Sequence, residues 1–323
     1  MSNNIKKIGV YTSGGDAPGM NANIRAVVRT AMNEGIEAYG IISGYSGMIK
    51  GDIIRIGRKE TANIIGRGGT ILKTSRSKEF HHSGARAAAF QNLKDAGIQA
   101  LIACGGDGTF RGAHALCEEH DIQIVGTPGT IDNDLYGTDF TIGYDTAINT
   151  AAEAIDRIRD TAGSHGRVFI IEVMGRHAGF IAMDVGVACG AEFIAVPETI
   201  TNVDILYQRI LKQGEQKRTI IIVGEGDELG NANDLAGILH DRFEISSKVT
   251  ILGHIQRGGN PSVRDRVLAS RLGMEAVYAL LDGKTDCLIG EVNNELCLTP
   301  FKETWEKKSK LWDHLIKLSD ILA

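Results

Sequence analysis

Proline is scarce, with 5 in 323 residues, and aromatic residues make up only 6%. Proline-rich linkers and polyproline segments are thereby excluded. No apolar run reaches the about 18 residues that a membrane-crossing helix needs. Lys6-Lys7 is followed only by Ile8-Gly9-Val10-Tyr11 before polar residues return, so no secretory leader and no membrane partner are expected. The 5 cysteines (Cys104, Cys117, Cys189, Cys287 and Cys297) are odd in number, scattered, and free of any CxxC spacing. A disulfide framework or zinc site is disfavoured, and free thiols in a cytoplasmic protein are expected. Charge of one sign is lacking too: 35 basic against 40 acidic residues leave −5, which offers no general nucleic-acid surface.

Glycine is the residue in excess, at 40 of 323, about 12% against an average near 7%. Many glycines with few prolines suggest tight turns and backbone held close to a ligand. Hydrophobic residues at 43% and charged residues at 23% are ordinary for a globular chain and exclude disorder, collagen and coiled coil as the main state. The length suggests two domains.

Short β-branched runs alternate with helical patterns. Strands are expected at 5–11, 100–104, 122–125, 168–173, 193–196, 219–223 and 249–252. Helices are expected at 20–33, 111–118, 144–161, 206–212 and 263–281. On the first helix, Met20, Ile24, Val27, Val28 and Ala31 form one stripe, and on the third Ala147, Ile148, Ala151, Ile155 and Ile158 form another. Apolar strands separated by helices argue for an α/β fold with parallel sheets covered on both faces. Leu311, Leu315, Leu318 and Leu322 read as a docking helix.

Gly-rich or charged clusters follow the strands directly: 12–16, 105–109, 126–134, 174–176, 224–226 and 253–259. Ligands of open α/β sheets bind at the carboxyl ends of strands, so one large composite site at one edge is expected. Gly14 to Asn21 joins a strand to a helix, where backbone N–H groups favour phosphate. Met20-Asn21 stands where a P-loop needs Lys-Ser/Thr, which excludes a Walker ATPase; a tight glycine turn without chemistry remains the other reading. Gly105-Gly106-Asp107-Gly108-Thr109 leaves the backbone bare for a polyphosphate, and Asp107 suits Mg²⁺; alternatively Asp107 only anchors a helix. Asp132 and Asp134, two apart in an extended segment, would share one side and suit a general base beside a metal partner, or else an Asx turn. Candidate cations for phosphoryl transfer are Arg76, Arg167, Arg176, Lys248, His254 and Arg257; the other reading is a solvated surface residue for any one arginine and a hydrogen-bonded strand-end histidine for His254. Arg25 and Arg29, with Arg55, Arg58 and Lys59 in a following loop, read from spacing as a basic solvated face.

Taken together, TSGGDAPGMN, GGDGT, PGTIDND, EVMGRHAG and GHIQRGG resemble, in order and spacing, the bacterial ATP-dependent 6-phosphofructokinases. The likeness runs from Lys6 to about Asn293. GGDGT alone is also found in NAD kinases and lipid kinases, whereas PGTIDND with MGR is specific. The resemblance implies two Rossmann-like three-layer αβα domains with the active site in the cleft between them. Residues 1–143 plus about 256–304 would form the larger, ATP-binding domain, and 144–255 plus a C-terminal helix at 305–323 the smaller, sugar-phosphate domain. It implies transfer of the ATP γ-phosphate to the 1-hydroxyl of fructose 6-phosphate. Gly14, Arg76, Ser77, Gly106, Asp107, Gly108 and Thr109 would hold ATP, and Asp107 would bind Mg²⁺ with Asp134 nearby. Asp132 would be the general base. Thr130, Ile131, Met174, Gly175, Arg176, Glu225, His254, Ile255 and Gln256 would hold the sugar, and Arg257 its 6-phosphate.

The same resemblance implies that Arg167 and Lys248 reach in from a neighbouring subunit of a homotetramer. An effector pocket for ADP or phosphoenolpyruvate would use Arg25, Arg29, Arg58, Arg159, Gly190, Glu192, Lys217 and Arg218. Gly108 and Gly129 favour ATP over pyrophosphate, because pyrophosphate-dependent relatives carry Asp and Lys there. Two departures stand out. Lys248 replaces the family's Arg and cannot make a bidentate fork to phosphate. Near Gly214–Arg218 the loop is shorter and its lysine cluster is thinned. An NAD kinase and a catalytically silent nucleotide-sensing subunit are the alternative readings.

Overall fold

The computed structural model describes residues 5–162, 168–213 and 219–322. In chain order the elements begin β1 (Lys7–Thr12), α1 (Met20–Asn33), β2 (Glu37–Ile41), α2 (Gly44–Lys50), β3 (Ile53–Ile56), α3 (Ser83–Asp95), β4 (Ala100–Gly105), α4 (Asp107–Glu119) and β5 (Gln123–Pro128). They continue α5 (Tyr144–Ala162), β6 (Val168–Val173), α6 (Phe180–Ala188), β7 (Phe193–Ala195), α7 (Val203–Gln213), β8 (Thr219–Gly224), α8 (Ala232–Phe243) and β9 (Ser247–Ile251). The last are α9 (Val263–Leu281), β10 (Cys287–Val292), β11 (Glu295–Pro300), α10 (Glu303–Glu306) and α11 (Asp313–Leu322). Two compact units emerge: Met1–Ile131, Leu135–Asp145 and Arg257–Ser309 form the first, and Asp132–Asp134, Thr146–Gln256 and Lys310–Ala323 the second.

The first unit is built on a 7-stranded sheet ordered β11-β10-β5-β4-β1-β2-β3. Its interior pairs are parallel, and both edge pairs, β2–β3 and β10–β11, are antiparallel. Successive side chains of a strand face opposite ways, and here both faces are covered. Ile8, Val10, Ala100 and Ile102 join a core with α1 and α9, while Tyr11, Leu101 and Ala103 join another with Tyr45, Leu93 and Leu116. The expected stripe on α1 is fully buried, which fixes the helix against the sheet and aims its N-terminus back at the end of β1. Arg55, expected in a loop, lies on β3 opposite Tyr39. The run Ile53–Ile56 is too short to show a period, and a charged residue is what an edge strand carries.

The second unit has a 4-stranded parallel sheet, β7-β8-β6-β9. Ile170, Ile221 and Val223 pack with Leu206 of α7 and Leu235 and Leu239 of α8. On α5, Ala147, Ala151 and Ile155 are buried. The C-terminal helix α11 lies against α6, but none of its residues is buried: Leu318 and Leu322 of the expected stripe are exposed, and the buried Leu311 precedes the helix. The two sheets also revise one expectation. Three of the clusters follow β1, β4 and β5 of the first sheet, and three follow β6, β8 and β9 of the second. They occupy two sheet edges, because alternation along the chain does not say which strands share a sheet.

Candidate active site

In the first unit the turns after β1, β4 and β5 are stitched to one another. Ser13 N donates to Cys104 O at 3.1 Å, and Gly129 N donates to Gly105 O at 2.9 Å. Thr109 Oγ1 donates to Ser13 O at 3.1 Å, and the buried Tyr45 hydroxyl donates to Thr109 O. A Cβ on Gly106 would stand 3.7 Å from Thr130. Gly14, Gly106, Asp107, Gly108, Thr109, Thr130 and Ile131 therefore gather at one sheet edge.

Two local expectations need correction there. The helix after β4 starts at Asp107, with Gly106 as N-cap, so most of the GGDGT segment is the first helical turn and not a loop before residue 111. A carboxylate at that position complements the helix dipole. Secondly, Asn133, between Asp132 and Asp134, has φ +53°. That left-handed residue breaks the extended course, and the argument that both carboxylates point one way fails. Asp132 is 3% exposed, whereas Asp134 is half-buried.

Asp107 Oδ1 accepts from Arg111 Nε at 2.7 Å, and its side chain is 41% exposed. Among the described residues no group of three or more His, Cys, Asp or Glu side chains is arranged to hold a metal. The donor set is one accessible carboxylate beside bare backbone, which fits Mg²⁺ bound chiefly through water and phosphate oxygens.

Arg76 is exposed and Ser77 half-buried, in the stretch between β3 and α3. Thr74 Oγ1 donates to Gly14 O at 2.8 Å, which keeps that stretch at the β1 turn. The Arg257 guanidinium lies over the same turn, with Nη1 donating to Asp16 O at 3.2 Å.

The second unit assembles the other candidates. Arg176 Nε stands 4.0 Å from Asp132 Oδ2. Arg176 has φ +55°, and its N–H donates to Glu225 Oε2 at 3.3 Å. Gly226, at φ +87°, completes this lock: a Cβ there would be 2.1 Å from Arg176 O. Met174 N donates to Gln256 Oε1 at 2.9 Å, and Gln256 is fully buried, so its carboxamide props the Met174–Arg176 turn. His254 and Ile255 are exposed beside it. Lys248 is exposed on β9, paired with Phe169. Arg167, Lys217 and Arg218 lie outside the described residues.

The expected effector residues fall into two sets. In the first unit, Arg29 donates from Nη2 to Arg58 O at 3.1 Å and from Nε to Thr61 Oγ1 at 3.2 Å. Partial desolvation, then repulsion from Arg58 and Arg25, holds its pKa below the usual arginine value. In the second unit, Arg159 donates to the carbonyls of Cys189 and Gly190. Glu192 Oε2 accepts from Ile220 N at 2.6 Å.

Sequence reasoning missed the side chains that hold these turns: Tyr45, Asn21, Thr12 and Thr74. Asn21 left one signal, a polar residue beside the apolar stripe of α1.

The phosphofructokinase family model matches residues 7–280. The ATP-dependent 6-phosphofructokinase 1 of Thermus thermophilus is 56% identical over 322 residues, 99% of this chain and 100% of that protein. The chain belongs to the phosphofructokinase family. The ATP-dependent 6-phosphofructokinase of Cytophaga hutchinsonii is 48% identical, over 98% of each chain. The phosphofructokinase structure from Saccharomyces cerevisiae superposes with TM-score 0.85 at 38% identity, over 93% of this chain. This chain spans 45% of the length of that yeast chain. The phosphofructokinase match covers every strand of both sheets except β10 and β11, so it takes in all six clusters.

Proposed function

We propose that this chain transfers the γ-phosphate of Mg-ATP to the 1-hydroxyl of D-fructose 6-phosphate, giving fructose 1,6-bisphosphate and ADP, the committed step of glycolysis. The observation that carries the reading is full-length likeness to proteins named ATP-dependent 6-phosphofructokinase. Neither alternative, an NAD kinase or a silent nucleotide-sensing subunit, is favoured by those relatives.

Asp132 accepts the proton of the 1-hydroxyl. The freed oxygen attacks the γ-phosphorus, and the bond to the ADP oxygen breaks. Arg176, 4.0 Å from Asp132, holds the sugar phosphate beside the base. Gly14, Ser77 and the Gly106–Thr109 turn receive the phosphates, because backbone N–H groups at a helix start favour anions. Arg76 balances charge as it spreads over the transferred group. Asp107 would hold Mg²⁺, with Asp134 assisting, and the ion would neutralise phosphate charge. Thr130, Ile131, Met174, Gly175, Glu225, His254, Ile255 and Gln256 orient the sugar, and Arg257 binds its 6-phosphate.

In this reading the first unit is the nucleotide domain and the second the sugar-phosphate domain. Arg167 and Lys248 act on the sugar phosphate of a neighbouring subunit in a homotetramer. Arg25, Arg29, Arg58, Arg159, Gly190, Glu192, Lys217 and Arg218 bind ADP or phosphoenolpyruvate as effectors. The protein works in the cytoplasm; no described helix is long and apolar enough to cross a membrane.

The test is ADP release coupled to fructose 6-phosphate, with wild type and Asp132→Asn. Losing the base lowers kcat by about 10²- to 10⁴-fold while ATP affinity is kept. A wild type inactive on the sugar phosphate but active on NAD overturns the proposal, as does an Asp132→Asn variant with full kcat.

A further inference from the structure

The stretch from Gly57 to His82, between β3 and α3, holds only a 3-10 turn at Glu79–His81. Structureless connections beyond about 12–15 residues are uncommon in compact domains unless functional. This one carries Arg76 and Ser77. No strand ladder fixes its course; one backbone bond, Ser43 N donating to Leu72 O at 2.7 Å, and several side chains do. Asn21 Nδ2 donates to Arg67 O and to Gly68 O, each at 3.1 Å, and Ile71 N donates to Asn21 Oδ1 at 2.8 Å. Thr12 Oγ1 donates to Lys73 O at 2.8 Å, Thr74 Oγ1 donates to Gly14 O, and Ser75 Oγ donates to Ser43 O at 2.7 Å.

Asn21 is 1% exposed, so its carboxamide is committed to this strap from inside the protein. It occupies the place where a P-loop would put a hydroxyl on its metal, yet its partners are backbone groups of the strap. The same short helix start thus presents bare backbone at Gly14 and grips the segment that leads to Arg76.

We propose that Asn21 is a positioning residue for Arg76: it latches the 67–71 strap to α1 and so sets where the Arg76 guanidinium stands beside the Gly14 turn. The proposal rests on the reading of Arg76 as an ATP ligand. A carboxylate has the size of the carboxamide but no donor. Asn21→Asp therefore turns two hydrogen bonds into contacts between a carboxylate and two carbonyl oxygens, and the strap lets go.

The experiment uses the full chain and measures Mg-ATP affinity by calorimetry without sugar, for wild type, Asn21→Asp, Arg76→Ala and the double variant. Asn21→Asp is expected to weaken ATP by about 10-fold or more, the loss that goes with buried groups left unpaired. The double variant is expected to lose clearly less than the product of the two single losses, because the latch acts chiefly through that arginine. In turnover, KM for ATP rises and KM for fructose 6-phosphate stays within about 2-fold. Should Asn21→Asp not fold, Asn21→Ala replaces it; losing the bonds to Arg67 O, Gly68 O and Ile71 N weakens ATP by about 5-fold. Wild-type ATP affinity in the variant tested overturns the proposal. So does an Arg76→Ala variant that binds ATP normally, or a double variant whose loss is the product of the two single losses, the result of a merely structural role. A wild-type chain that binds ATP but leaves fructose 6-phosphate untouched defeats the catalytic reading and spares the latch.

Discussion

Gly108 lies in the proposed nucleotide turn and Gly129 follows the neighbouring strand β5, but the fold itself needs glycine at only one of them. Gly108 is the second residue of α4, and a Cβ built there meets nothing within 4 Å. Gly108→Ala thus gains helix propensity at no steric cost, up to about 1 kcal/mol. The ligand-free unfolding temperature should rise by roughly 2 °C. The new methyl projects into the open space assigned to the ATP phosphates. Intrusion of one methyl into a packed contact costs about 1–3 kcal/mol, or roughly 5- to 150-fold in ATP affinity. Gly129 is the opposite case. Its added Cβ would lie 2.7 Å from Cys104 Sγ, 3.1 Å from Met20 Cε and 3.2 Å from Gly105 N. Gly129→Ala should destabilise the ligand-free protein by about 1–3 kcal/mol. Thermal unfolding without ligand, paired with ATP titration, reads both variants. A lower unfolding temperature for Gly108→Ala, or a higher one with unchanged ATP affinity, refutes the reasoning.

Lys248→Arg restores a forked donor and should lower KM for fructose 6-phosphate by about 3- to 10-fold; steady-state kinetics showing an unchanged or higher KM would count against it. Activity at low sugar phosphate should respond to ADP or phosphoenolpyruvate, and Arg29→Ala should flatten the response; a wild type indifferent to both effectors removes the pocket. Glu119 accepts both Arg86 nitrogens, Nε at 2.7 Å and Nη2 at 2.5 Å, and this bonding holds its carboxyl below the usual range. Its stabilising contribution is present above the unfolded pKa of about 4.3 and is lost as pH falls through the lowered folded value. Glu119→Gln should accordingly unfold earlier than wild type at pH 7, with the gap closing in acid; a gap independent of pH contradicts this.

The candidate site was legible where chemistry is local. Glycines bare the backbone within a few residues of a strand end, and Asp107, Asp132 and Arg176 lie in such segments. What could not be read depended on one backbone angle or on a distant partner. Asn133 in the left-handed region separates Asp132 from Asp134 in direction, and nothing in Ile131-Asp132-Asn133-Asp134 announces that angle. Asp107 looked like a turn residue because glycines surround it, yet α4 begins there.

The sequence by itself determined the α/β class, the buried stripe of α1 and the family, since each rests on a period or a short motif. Only the tertiary structure decided that the Gly-rich clusters divide between two sheets. It alone showed that Gly226 locks the Arg176 turn, and that Asn21 grips a strap about 46–50 residues further along the chain. The physical reason is range. Periodicity and glycine placement express what a backbone needs from its neighbours, whereas a buried carboxamide or a close glycine acquires its meaning from atoms that only folding brings within about 3 Å.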